Sequence, residues 1–274
     1  MQENEKKLMK RDRITGRVLF MLMFVLWSGR ILRGGEPVRY GPGEKLHYNI
    51  NFSFVPAGDA YLTVGKDMLD GKGVWHIKLL GRTSGLADVV YKVRDRYECY
   101  MDPQTQFPLK AIRDISEGNY KRYNEVVFYH TARPDSSVVY SRKRGKVVVP
   151  KNIYDVLTGF YYFREHYAGY PFRDREEVLI QTYFTDEVWP LKIRYLGKEV
   201  IKAGKRKIRC LKFGPVTEVG RAFKKEDDMA MWLTDDDNFL PVKIRVNLKV
   251  GSFRIDLAEY EGLRYPFSAY VNKE

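Results

Sequence analysis

From residue 45 onward, apolar and polar positions alternate with a period of two almost everywhere, and Gly, Pro, Asn or Asp interrupts the alternation at short intervals. In residues 45–54, Leu46, Tyr48, Ile50, Phe52 and Phe54 share one parity, and His47, Asn49, Asn51 and Ser53 the other. That pattern predicts a half-buried strand of about ten residues. Pro56 to Gly58 reads as the turn that follows, residues 59–67 as the return strand, and Asp70–Gly71 as the next turn. Runs at 73–84, 91–102, 109–118, 120–130 and 136–149 continue the pattern. So do 176–187, 188–201, 205–216, 229–233, 241–250 and 253–262. A dozen or more strands at such spacing predict an antiparallel meander that closes, or nearly closes, on itself.

One stretch departs from the period of two. In residues 152–168, Val156, Phe160, Phe163 and Tyr167 recur at helical spacing, with Ile153 and Leu157 widening the stripe. Thr158, Tyr162, Glu165 and His166 lie roughly opposite. Asn152 stands where an N-cap is expected, Asp155 resembles a shortened capping box, and Gly169 with Pro171 supplies the stop. A helix this aromatic needs a wide apolar surface over it. The fold class that follows is mainly β: a large curled antiparallel sheet or incomplete β-barrel, with one principal helix near 153–168 packed against or inside it.

Charge changes this picture less than its total suggests. The chain of 274 residues carries a net charge of +13. Residues 1–33 hold eight basic and three acidic residues, which leaves 40 and 32 in the remainder, net +8. That is a moderately basic domain and not a polycation, so no nucleic-acid partner is expected. The alternating charges, such as Lys92, Arg94 and Arg96 or Lys243, Arg245 and Asn247, fall mid-strand where a membrane barrel would present lipid-facing apolar bands. A soluble barrel is the expectation.

The N-terminus points to a destination. A basic segment leads into the uncharged run 18–27, followed by Ser28, Gly29 and Arg30. Ten apolar residues span about 15 Å at helical rise, half of a bilayer core. Residues 1–34 therefore read as a secretory signal peptide, and 35–274 as a single β-barrel-like domain placed in the periplasm or cell envelope. No A-x-A site follows, so an inner-membrane anchor formed by residues 18–27 is the alternative, with membrane contact through that segment. Cys99 and Cys210 are the two cysteines. They could pair if their strands are neighbours; two separate buried thiols is the expectation.

Five segments together carry a resemblance. FVPAGDAYLTV (54–64), YKVRDRYE (91–98), YDVLTGFYYFR (154–164), GPVTEVGRAFK (214–224) and MWLTDDDNFLPVKIRV (231–246) make the chain similar to domain-of-unknown-function family 3108 over about residues 44–262. The resemblance implies an exported bacterial protein with a curled, largely antiparallel sheet. It implies no catalytic residue.

Candidate chemistry is sparse. His47, His76, His130 and His166 are scattered without ligand spacing and read as surface or strand-face residues, so no metal is expected. Asp235, Asp236, Asp237 and Asn238 lack the later Gly and Glu of a calcium loop and read as a hairpin turn, as do Asp227 and Asp228. No G-x-S-x-G, S-x-x-K, P-loop or dinucleotide glycine pattern occurs, and no cofactor is expected. Carboxylate pairs such as Glu98 with Glu117 or Asp114 keep a hydrolase open as an alternative. The aromatic excess, with 20 Tyr and 15 Phe, is mostly core. A subset (Tyr154, Phe160, Tyr161 and Tyr162) is the candidate lining of an apolar cleft between helix and sheet, with Arg164 at its mouth. The sequence thus predicts an exported, non-catalytic binding or carrier protein for an amphipathic or acidic cell-envelope ligand, lipid-like or glycan. A scaffold that holds an envelope protein partner on an exposed strand edge is the third reading.

Overall fold

The structure is a computed structural model, and it describes residues 38–203, 206–216, 228–248 and 251–271. The signal or anchor segment 1–34, Asp227, and residues 217–224 of one resembling segment lie outside the described residues.

Among the described residues, fourteen strands form one antiparallel sheet. They are β1 (Lys45–Phe52), β2 (Val55–Leu69), β3 (Lys72–Thr83), β4 (Arg94–Met101), β5 (Pro108–Glu117), β6 (Tyr120–Tyr129), β7 (Ser136–Ser141) and β8 (Gly145–Pro150). After the main helix come β9 (Glu177–Phe184), β10 (Glu187–Ala203), β11 (Arg206–Pro215), β12 (Met229–Thr234), β13 (Pro241–Asn247) and β14 (Ser252–Glu261). Neighbours in sequence are neighbours in space, and β1 also pairs with β14, so the sheet runs β8 to β1, then β14 back to β9. The free edges are β8 and β9. They are brought together by the chain that leaves β8: Tyr154 forms a parallel bridge with Thr182 of β9, through Tyr154 N to Gln181 O at 2.9 Å and Tyr183 N to Tyr154 O at 2.7 Å. The result is a nearly closed, barrel-like sheet, as the alternation predicted.

Several boundaries differ from the sequence reading. β1 ends at Phe52 because Ser53 adopts φ +54°, so the turn falls at Ser53 and Phe54, and Pro56 to Gly58 lie within β2. Phe54, which shares the parity of the buried Leu46 and Tyr48, is consequently 96% exposed. Residues 136–149 form a two-strand hairpin. A short helix, α1 (Gly85–Val90), stands between the predicted strand runs 73–84 and 91–102, and it buries none of its residues.

The principal helix, α2 (Val156–Tyr167), starts later than expected. Asn152 is in the left-handed region at φ +57° and Tyr154 is committed to β9, so Asp155 becomes the N-cap. Its carboxylate accepts from Leu157 N and Thr158 N, both at 3.0 Å, while Asp155 N donates to Thr158 Oγ1 at 3.2 Å. This reciprocal capping box satisfies donors that would otherwise be orphaned at a buried helix start. The predicted stop holds, with Gly169 at φ +68°.

The helix lies within the curl. Leu157 and Tyr161 pack into the cluster built from Leu46, Leu62, Ile77 and Cys99 of β1 to β4. Phe163 packs into the other, with Ile180, Leu211, Phe213 and Phe239. A Cβ on Gly159 would meet Thr182 Cγ2 at 3.2 Å and Ile180 Cγ2 at 3.5 Å, so glycine there permits close approach to β9. Because two walls are covered, the buried set (Leu157, Thr158, Gly159, Tyr161, Phe163 and Arg164) is displaced from the predicted stripe: Leu157 and Phe163 are shared, Val156, Phe160 and Tyr167 are only half-buried, and Thr158 of the predicted polar side is buried.

Candidate functional site

Three places inside and on the sheet concentrate polar chemistry. The first is a fully buried hub. Arg164 Nη1 and Nη2 donate to Glu44 Oε1 and Oε2 at 2.7 and 3.0 Å, and Nη2 also donates to Asn238 O at 3.1 Å. Tyr161 Oη donates to Glu44 Oε1 at 3.0 Å. Both charged side chains are 0% exposed. Burial alone would lower the guanidinium pKa; the Glu44 charge and hydrogen bonds more than offset it and drive it upward. Burial likewise pushes the Tyr161 hydroxyl well above its ordinary value. Arg164 is thus a tie between helix and wall, which corrects its expected place at a cleft mouth. The other proposed lining residues are also packed. Phe160 meets the Tyr161 ring at 5.7 Å, Tyr154 lies between Phe107 (5.2 Å) and Tyr162 (4.8 Å), and Tyr162 stacks on His166 at 4.1 Å. Neither of the two cavities described next is lined by any of these five residues.

The second place is the seam, where the end of β9 reaches β4, β5 and β6. A cavity of about 40 Å³ is lined there by Tyr97, Arg113, Arg122, Asn124, Asp155 and Tyr183, among others. Arg113 occupies an inward position between Ala111 and Ile115, and its guanidinium lies over the rings of Tyr97 (5.7 Å) and Phe184 (5.0 Å). Asp186, in the left-handed β9–β10 turn, docks across the seam. It accepts from Asn124 Nδ2 at 2.7 Å, from Arg122 Nη2 at 3.2 Å and from Ser141 Oγ, and its carbonyl accepts from Arg144 Nη1 at 2.8 Å. Burial opposes ionisation of Asp186, but these donors prevail and its pKa is lowered.

The third place is a groove of about 590 Å³ on the outer face, beneath the chain that follows β14. Its apolar lining includes Ile201, Ile208, Val242 and Phe267, which also belong to the cluster around Trp232. Lys202, Arg206, Lys243 and Arg254 line it as well, against Asp256 as its one acidic lining residue among those described. Asp256 is engaged by Arg254 at 2.7 Å. Lys212, Lys243 and Arg245 surround the Trp232 ring at 5.2, 5.8 and 5.4 Å. The mid-strand charges of the sequence therefore form an outer, cationic face.

The remaining candidates have local roles. Glu98 accepts from His76 Nε2 at 2.6 Å and pairs with Arg96 at 2.8 Å, and Arg96 also pairs with Asp114 at 3.0 Å. Glu117 is hydrogen-bonded to Asp95, whose pKa is pushed up to about 6 by burial and by that neighbour. Asp236 Oδ1 accepts from Thr234 Oγ1 at 2.6 Å and Asn238 N at 3.1 Å, so residues 235–238 are the hairpin turn the sequence indicated. Cys99 and Cys210 are free, buried thiols in different clusters, and burial raises both pKa values, that of Cys210 to about 12.

The sequence reading missed Arg113, Asn124 and Tyr183. A signal was present: Arg113 and Asn124 are polar residues that share the inward parity of the apolar Ala111 and Ile115, and of Val126 and Phe128.

A nearly closed antiparallel sheet wrapped round one helix defines the class of protein. Comparison with known proteins agrees and narrows it. The chain belongs to the family described as protein of unknown function (DUF3108), whose profile matches residues 47–258. Among solved structures it is similar to a beta-barrel-like protein of domain of unknown function DUF1849 from Brucella abortus. That similarity has a TM-score of 0.52 and 8% identity, and covers 82% of this chain and 99% of the other. It shows a shared fold. A search of curated proteins finds no match.

Proposed function

We propose that this is an exported, non-catalytic envelope protein that binds or carries an amphipathic, acidic ligand, with the outer groove as its site. The observation that carries the reading is the composition of that groove: an apolar floor bordered by four basic side chains and one acid already engaged by Arg254. Its volume of about 590 Å³ falls within the roughly 300–1,000 Å³ of small-molecule sites. An apolar floor takes up hydrocarbon, and the cations in excess of Asp256, which Arg254 and Lys243 share, steer and hold an anionic head.

Native mass spectrometry of the full chain, purified from its own envelope, tests this reading directly. The expected result is a bound anionic lipid or glycolipid; bare protein alone counts against it. Titration with an anionic lysophospholipid below its micellar concentration, followed by tryptophan fluorescence, gives the affinity. The double variant Lys202→Glu, Arg206→Glu is expected to weaken binding roughly tenfold or more.

One observation favours a second reading, a scaffold for a partner protein. Ser84 N donates to Ala57 O at 3.0 Å and so holds α1 beside the start of β2. There Leu86, Val89 and Val90 are 78–85% exposed, and Phe54, at the turn that opens β2, is 96% exposed. Contiguous exposed apolar residues on a soluble surface mark contact sites. Retained partner crosslinking in a Val89→Ser, Phe54→Ser variant counts against it.

A further inference from the structure

Five buried side-chain nitrogen or oxygen atoms lack a hydrogen-bond partner among the described residues, and four belong to residues lining the seam cavity: Arg113 Nε, Arg113 Nη1, Arg122 Nε and Tyr183 Oη. Tyr183 is 3% exposed. A guanidinium only donates, and the tyrosine hydroxyl can donate, so four unmatched donors lie on residues that line one small space. The charged acceptors in its wall are already engaged, Glu98 by His76 and Arg96 and Asp155 by the backbone of Leu157 and Thr158. Asn124 Oδ1 stands 3.4 Å from Ser141 Oγ, whose one proton goes to the nearer Asp186. Asp186, just across the seam, is shared by Arg122, Asn124 and Ser141. Leaving buried donors unmatched costs about 1–3 kcal/mol each, and more when they are charged. The rings of Tyr97 and Phe184 cover the faces of the Arg113 guanidinium and leave its in-plane N–H groups to be matched.

From this geometry we infer that the seam cavity is a binding site for one small monovalent oxyanion, of carboxylate or nitrate size. Size sets the class. About 40 Å³ accommodates a few heavy atoms and excludes an acyl chain or a phosphate ester. Hydrogen bonding sets the sign: the wall's formal charges balance, Arg113 and Arg122 against Glu98 and Asp155, and the unmatched groups are all donors. The site is separate from the outer groove and does not depend on what that groove binds.

The test is thermal unfolding of the full chain in sodium acetate or sodium nitrate against sodium gluconate at equal ionic strength, gluconate being too large for the cavity. The wild type is expected to gain about 2–4 °C in acetate or nitrate over gluconate. Arg113→Met is expected to lose that gain while being more stable than wild type in gluconate, because it removes an unmatched buried charge. Tyr183→Phe preserves the shape of the wall and is expected to weaken the acetate response severalfold; it carries the test if the Met variant fails to fold. Octanoate, whose chain is likewise too long for the cavity, is expected to give no gain over gluconate; a gain equal to that of acetate overturns the size assignment. Identical anion responses in wild type and both variants mean that ordered water alone fills the site, and overturn the proposal.

Discussion

Among the described residues, two of the arginines on the inner side of this sheet differ in how they are matched. Arg164 meets a carboxylate in a paired geometry, a tyrosine hydroxyl shares that carboxylate, and only its Nε lacks an acceptor among the described residues. Arg113 meets two aromatic faces, and its Nε and Nη1 have no acceptor. The first arrangement is complete within the chain and fixes the helix to the wall. The second is incomplete within the chain and invites something from outside it. Charge inside a fold is therefore a poor guide to function until its partners are counted.

The sharpest way to break the comparison is to unmatch the matched pair. Glu44→Gln leaves Arg164 buried without a counter-charge and is expected to cost about 3–5 kcal/mol in urea denaturation. The double variant Glu44→Leu, Arg164→Met should recover most of that loss, because two apolar groups need no partners. A double variant as unstable as the single one would mean that the hub acts through shape and not through charge.

Next in size is the seam's own anchor. Asp186→Asn preserves the left-handed turn but removes the charge that Arg122, Asn124 and Ser141 share, at an expected cost of about 2 kcal/mol. Its pKa is depressed in the folded state, so the stability it supplies is full above the ordinary aspartate value and is lost as pH falls through the lowered one. The Asn variant should therefore lose part of the wild type's acid sensitivity. Asp155→Ala removes the reciprocal cap of α2 and is expected to cost about 1–2 kcal/mol by the same denaturation measurement.

The smallest effect has the opposite sign. Asp95 has its pKa raised to about 6, so the stability associated with its protonated form is present below about pH 4 and is lost as pH rises through 6. Asp95→Asn should flatten the stability profile between pH 4 and 6 and leave the protein slightly more stable at pH 7. The gain should be under about 1 kcal/mol, because the group is largely open to solvent screening. An unchanged profile would show that Asp95 and Glu117 do not share a proton.

Much of this architecture was legible in the chain, and particular residues show why the rest was not. Alternation places Leu46, Tyr48 and Leu62 inside because a strand in a curled sheet has one dry face. The same rule places Phe54 inside, and fails, because Ser53 turns the backbone one residue before the parity could be used. Helical spacing finds α2 but puts Thr158 on its wet side; in the folded protein that side meets β9. Of the proposed ligand contacts, Tyr161 and Arg164 belong to the core, since Glu44, distant by 120 positions, arrives to receive them. The seam donors were visible only as polar residues at inward parity.

What the sequence determined by itself was local and periodic: the strands, the one long helix, its stop at Gly169, and the hairpin at residues 235–238. These follow from the intrinsic repeat of the backbone and from side chains that bond to their near neighbours. What only the tertiary structure decided was matching. Whether a buried arginine has a partner depends on groups more than a hundred residues away, and on where the two free edges of the sheet meet. That is a property of closure in three dimensions, and no period along the chain encodes it.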